Sequence, residues 1–219
     1  MVVTLPISKT ILIIADVENK FQLSPSVEPT FFREWQNDLP ELTELEKASL
    51  DRLLVRFAGH RRRGILAEGA VDKLIISPLL DLVGFYEPEY EVRTEESVEF
   101  ALEGDDEILR GRIDTLKVRD RLWVLVIEAK RTIMASLALP QALSYMMCNP
   151  DPELPTFGLI TNGDEFIFVR LIAKPIPLYS ASRLYSLFFP TGSQDLFEVF
   201  RVLKQIKMMD LQLSLASQP

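Results

Sequence analysis

Residues 110–131 read RGRIDTLKVRDRLWVLVIEAKR, and this stretch decides how the chain folds. Alternation up to Val118, a short turn at Arg119-Asp120-Arg121 and the apolar run WVLVI predict two antiparallel strands, Ile108–Val118 and Leu122–Ala129. The charges of this hairpin stand out in two places. Asp114 sits inside the first apolar segment, and the second segment ends abruptly in Glu128-Ala129-Lys130-Arg131.

Working upstream, Tyr90–Leu102 reads as a third strand. A helix over Leu66–Val83 precedes it, with Leu66, Val71, Leu74, Ile75, Leu79, Leu82 and Val83 as its buried face, a kink at Pro78 and Gly84 as its stop. Thr43 and Glu46 have the spacing of a capping box, with Leu42 as staple. Leu45, Leu53, Leu54 and Phe57 form the apolar stripe of the helix they open, which ends near Gly59. Phe31, Phe32 and Trp35 in FFREWQ predict a short helix laid on the core. Downstream, a helix over Met134–Cys148 leads through NPDPELP to the strands FGLIT and EFIFVRL. These are joined by Asn162-Gly163-Asp164, an Asn-Gly hairpin signal, and a last amphipathic helix covers Ser193–Leu211. The order helix, three strands, helix, two strands defines an α/β protein with a mixed β-sheet flanked by helices. Residues 1–63 are expected to be an N-terminal helical extension packed on a single globular unit, residues 64–219.

A chain of 219 residues with 47% hydrophobic content supports one sizeable core rather than two large domains. No stretch approaches the roughly 18 apolar residues of a membrane span. TILIIADV is too short and lacks a basic leader, so a cytoplasmic protein without membrane partners is expected. The single Cys148 excludes an internal disulfide, and with one histidine, His60, there is no Cys/His set to hold zinc. A Ser-His-Asp hydrolase would have to be built on His60, which lies in the basic segment GHRRRG and reads as solvated.

The net charge of −8 argues at first against nucleic acid. Its distribution softens that objection: residues 51–63 carry five basic groups against one acidic, and residues 110–131 seven against three. The local field there can favour an anion. The alternative, that Arg110, Arg112, Lys117, Arg119 and Arg121 are the solvated face of a hairpin, stays open on charge counts alone.

Glu128 and Lys130, two apart on a strand, project from one face. With a two-residue turn at Asp120-Arg121 the pairing brings Asp114 within one residue of Glu128, and a β-bulge would bring the two level. Two carboxylates held close repel unless a cation lies between them. Mg²⁺ suits such a place, since it takes one or two carboxylates and otherwise water and phosphate oxygens, and Mn²⁺ is expected to substitute for it. A lysine beside them can hold the attacking water and offset charge growing on the phosphate. Together these parts amount to metal-assisted phosphodiester hydrolysis.

Asp114 followed by Glu128-Ala129-Lys130 in the next strand resembles the PD-(D/E)xK nuclease motif, and the order of elements resembles the restriction-endonuclease-like core of that superfamily. More closely, residues from about 66 to 171 resemble the nuclease domain at the N-terminus of type I restriction enzyme motor (R) subunits, on the stretches LLDLVGF, LPQALSY and FGLITNGDEF. The whole chain is similar to stand-alone cyanobacterial proteins carrying that domain. The resemblance implies that Asp114 and Glu128 are metal ligands, the Ala129 carbonyl a third, and Lys130 the catalytic lysine. Glu68 matches an acidic residue that many members bring to the same metal from the preceding helix. Gln141 and Tyr145 match a QxxxY extension that orients the site and contacts DNA, and four apart they share one helical face. Arg112 and Arg131 are the neighbouring cations expected to meet nucleic acid. The departure is Ile113, where the motif's name has proline.

A Mg²⁺-dependent DNA endonuclease of restriction or repair type is therefore expected. The chain has no GxxxxGK[ST] loop, so translocation or sequence recognition would come from a separate motor or specificity protein. Double-strand cleavage by a single-site enzyme calls for two copies, and a homodimer is expected. The rival reading keeps the fold as a non-catalytic DNA- or protein-binding module, which the acidic balance favours. Residue by residue, Glu128 and Lys130 could equally form an ion pair, Asp114 cap the turn region, Glu68 favour a helix N-terminus, and Gln141 and Tyr145 be ordinary half-buried polar groups.

Overall fold

Among the residues described by the computed structural model, 3–101, 107–119, 122–129, 135–188 and 192–216, a nine-stranded mixed sheet runs between two helical layers. In chain order the elements are β1 (Val3–Pro6), α1 (Ile7–Thr10), α2 (Ile14–Phe21), β2 (Ser24–Pro25), α3 (Glu44–Arg61), α4 (Glu68–Val71), a π-helical turn (Asp72–Ile76) and α5 (Ser77–Val83). There follow β3 (Glu91–Ala101), β4 (Glu107–Arg119), β5 (Leu122–Ala129), α6 (Ala135–Met146), β6 (Thr156–Thr161), β7 (Glu165–Ile172), β8 (Leu178–Ala181), β9 (Tyr185–Ser186) and α7 (Gly192–Ala216). The sheet order is β1-β4-β5-β6-β7-β8-β2, with β3 also on β4 and β9 also on β7. The hairpin of β4 and β5 forms as expected, although its turn at Asp120-Arg121 lies outside the described residues. Parallel β5 and β6 need a crossover, which α6 supplies.

Alternation on the central strands divides the core in two. On β6 and β7, Phe157, Leu159, Phe166 and Phe168 face a cluster built with α3, α5 and α7, while Ile160, Ile167, Val169 and Leu171 face a second cluster built with α1, α2 and α6. Burial on both faces explains why these strands read as continuous apolar runs.

Local chemistry accounts for the helix ends. Thr43 Oγ1 accepts the Glu46 N–H at 3.2 Å while the Glu46 carboxylate accepts the Thr43 N–H at 2.7 Å, so the capping box is complete. Gly84 ends α5 at φ 91°, and Gly163 turns β6 into β7 at φ 86°; both values favour glycine.

Four expectations need correction. FFREWQ forms successive turns rather than a helix, with Phe32 buried against the core. Leu45 is 77% exposed, and the fully buried positions of α3 are Leu50 and Phe57. Leu82 is exposed while Ile76 and Leu80 are buried. The cause is the π turn at Asp72–Ile76, whose extra residue rotates the stripe that a plain 3.6-residue period predicts. Finally, the N-terminal 63 residues are not all helical: β1 and β2 add strands at the two ends of the sheet.

Candidate active site

Strand β4 shares one of its edges between two partners. Its ladder to parallel β1 ends at Pro6 opposite Arg110, and its ladder to antiparallel β5 begins at Thr115 opposite Ile127. Residues 111–114 therefore occupy a fork, where β1 has left and β5 has arrived. Asp114 is the last residue of this fork.

The register on the β5 side depends on one irregularity. From the turn, Arg119 pairs with Leu122 and Val118 with Trp123. After a shift between Val118 and Lys117, Lys117 pairs with Leu125 and Thr115 with Ile127. One extra residue has entered on β5, as a β-bulge requires. Without it Thr115 would oppose Val126; with it, the next positions in step are Asp114 and Glu128. On its other edge β5 pairs Glu128 with Ile160 and Ala129 with Thr161. Lys130 and Arg131 lie outside the described residues.

Glu68 is exposed in the first turn of α4, and a chain of contacts ties that helix to the same end of the sheet. Ala129 pairs with Thr161, whose Oγ1 accepts the Gly163 N–H at 2.9 Å. A Cβ at Gly163 would stand 2.7 Å from Val71, three residues beyond Glu68.

The QxxxY pair forms on α6. Gln141 donates from Nε2 to the Tyr145 hydroxyl at 2.5 Å. Tyr145 is 2% exposed, and its ring lies on Gly111, inside the fork. Its ring packs on the β4 backbone while its hydroxyl accepts the Gln141 amide. Gly111 was missed in the sequence. The available signal was a lone glycine in a strand pattern, which marks a close approach.

Two cations of the hairpin are answered locally. Arg112 is exposed and ion-paired with Glu95, and Arg110 with Glu99, so the solvated-face reading describes these two side chains well. Glu95 adopts φ 56°, a strained conformation for this residue, next to the fork. His60 is exposed at the end of α3. Burial pushes the Cys148 thiol up to about 12, and its S–H donates to the Ser144 carbonyl at 3.3 Å. A raised pKa keeps the thiol in its protonated, less reactive form.

No protein-family model matches the chain, and neither does any curated protein. The fold places it among mixed α/β proteins with a helix-flanked sheet. Among the described residues no helix is long and apolar enough to cross a membrane.

Proposed function

We propose that this chain is a Mg²⁺-dependent DNA endonuclease with a restriction-endonuclease-like core, its site lying at the fork between β4 and β5. The observation that carries the reading is the bulged register that makes Asp114 and Glu128 the next step after the Thr115–Ile127 pair. Two carboxylate-bearing residues in neighbouring positions at a strand divergence, with the Ala129 backbone alongside, offer hard oxygen donors of the kind that suit Mg²⁺. The bound metal would supply Lewis-acid polarisation of the phosphodiester. Lys130 would hold the attacking water and stabilise negative charge on the phosphate. Gln141, held by Tyr145 over Gly111, would fix the geometry of the β4 limb. DNA is the proposed substrate, with a motor or specificity protein and a second copy of the chain as proposed partners.

The rival is a non-catalytic DNA- or protein-binding module, and the net charge of −8 together with the paired Arg110 and Arg112 favours it. Calorimetric titration with Mg²⁺ and Mn²⁺, run beside nicking of supercoiled plasmid, separates the two. The nuclease reading expects binding to be lost in Asp114→Ala and cutting to be lost in both Asp114→Ala and Lys130→Ala. A native protein that neither binds metal nor nicks would leave the binding module standing.

A further inference from the structure

The second basic segment, residues 51–63, plays no part in the site just described. It forms a ridge: Arg52, Arg56, His60 and Arg63 recur at spacings of four, four and three on α3 and its last turn, and all four are exposed. The Arg63 N–H bonds to the His60 carbonyl at 3.0 Å, which carries the helical turn beyond Arg61. Asp51 is the one acidic residue in the segment. Among the described residues no carboxylate pairs with Arg62 or Arg63.

At its C-terminal end the ridge meets a cavity of about 540 Å³, whose walls include Phe57, Arg62, Ile65, Leu66, Asn162 and Phe188. Arg61 lies over the Phe188 ring at 4.6 Å and is ion-paired with Asp164, so the carboxylate in the wall is already neutralised. Ile65 is 85% and Phe188 53% exposed. Apolar walls with guanidinium groups at the rim fit a ligand that is flat and apolar at one end and anionic at the other, which describes a nucleotide. The size is within the range of small-ligand pockets. Its position matters too: Asn162 follows Thr161, the partner of Ala129. The cavity wall therefore begins roughly 6 Å from the end of β5, one strand spacing and one residue away.

We propose that this cavity holds one unpaired nucleotide of a nucleic-acid strand beside the candidate site, its phosphate against Arg62 and Arg63 and its base among the apolar walls, with the α3 ridge carrying the adjoining backbone. Sequence-tolerant stacking joined to a cationic track is how proteins hold single strands. The inference rests on the nuclease reading and narrows it to substrates with an unpaired segment, such as a single strand, a flap or a frayed end.

The test uses fluorescence anisotropy of a labelled oligothymidine and of a blunt duplex of equal length, in EDTA so that nothing is cut. The native protein should bind the single strand more tightly than the duplex. Arg62→Glu with Arg63→Glu should weaken single-strand binding at least tenfold and lower the slope of log affinity against log salt by about 0.7, the share of the one phosphate that these two side chains hold. Phe188→Ala, which removes the aromatic wall without changing a charge, should weaken single-strand binding and leave the duplex unchanged. Unaltered affinity in either variant overturns the proposal. So does equal loss on both nucleic acids, which would mark a plain electrostatic surface, or sedimentation with phosphatidylserine vesicles in preference to the oligonucleotide. A protein that binds as expected but never cuts would remove the nuclease reading and keep the pocket. One that cuts normally with both variants binding normally would do the reverse.

Discussion

Gly111 lies directly under the ring of Tyr145: a Cβ on Gly111 would overlap Tyr145 Cε1 and stand 2.9 Å from Ile7 Cδ1. The neighbours are a buried ring and a fully buried isoleucine, which have little room to give. Gly111→Ala should therefore cost about 1–3 kcal/mol of stability, the usual range for overpacking. Urea unfolding checks this, and an unchanged midpoint would mean that the fork is looser than the packing describes.

Tyr145→Phe keeps the ring and removes the acceptor of the Gln141 amide. A stability loss of about 0.5–1.5 kcal/mol is expected for one such hydrogen bond. In the nuclease reading kcat should fall while metal affinity stays, because the residue positions Gln141 and carries no ligand. Loss of metal binding in this variant would contradict that role.

Glu34 is 6% exposed and holds Arg170 at 3.0 Å, while Arg170 also donates to the Phe31 carbonyl. Together they pin the FFREWQ turns onto β7. Glu34→Ala leaves a buried guanidinium without its carboxylate, and removing one member of a buried pair costs about 3–5 kcal/mol. Thermal unfolding should show a large fall in Tm. Replacing both residues by apolar ones should restore much of it.

Glu46 ties α3 to α7 through Lys204 at 2.7 Å, besides closing its own cap. Burial raises its pKa, but the hydrogen bonds from Lys204 and from the Thr43 N–H and hydroxyl outweigh burial and leave it below the ordinary 4.5. A carboxylate depressed in the folded state stabilises above its unfolded pKa, and that contribution is lost as pH falls through the folded value. The stability gap between native protein and Glu46→Gln should be constant at neutral pH and shrink below pH 4.5. A gap that grew on acidification would reverse the sign.

Cys148, with its thiol pushed up from 9.0 to about 12, should hold about a thousandfold fewer thiolates in the native than in the unfolded protein at pH 8. Reaction with a disulfide reagent should be correspondingly slow until urea is added. Rapid labelling of the native chain would show that the end of α6 opens.

Much of the architecture was legible because its causes are local. A capping box, an αL glycine, an Asn-Gly turn and a strand of period two each involve residues within a few positions of one another, so Thr43, Gly84, Gly163 and the run WVLVI could be read directly. Leu45 and Leu82 were misread for one reason: apolar periodicity says which residues could be buried, whereas the partner elements and the π turn decide which ones are.

The sequence by itself determined the β4–β5 hairpin, the helix that follows it, and the Asp114, Glu128 and Gln141-Tyr145 spacings, since these follow from neighbouring residues and the periods of strand and helix. Tertiary structure decided the rest. Four-residue β1 and two-residue β2 are strands because distant edges offer their backbones hydrogen bonds, a reward that no short segment carries in its own composition. The bulge that shifts the β4–β5 register by one residue, and the approach of Tyr145 to Gly111, arise only when sheet twist and helix packing are satisfied together.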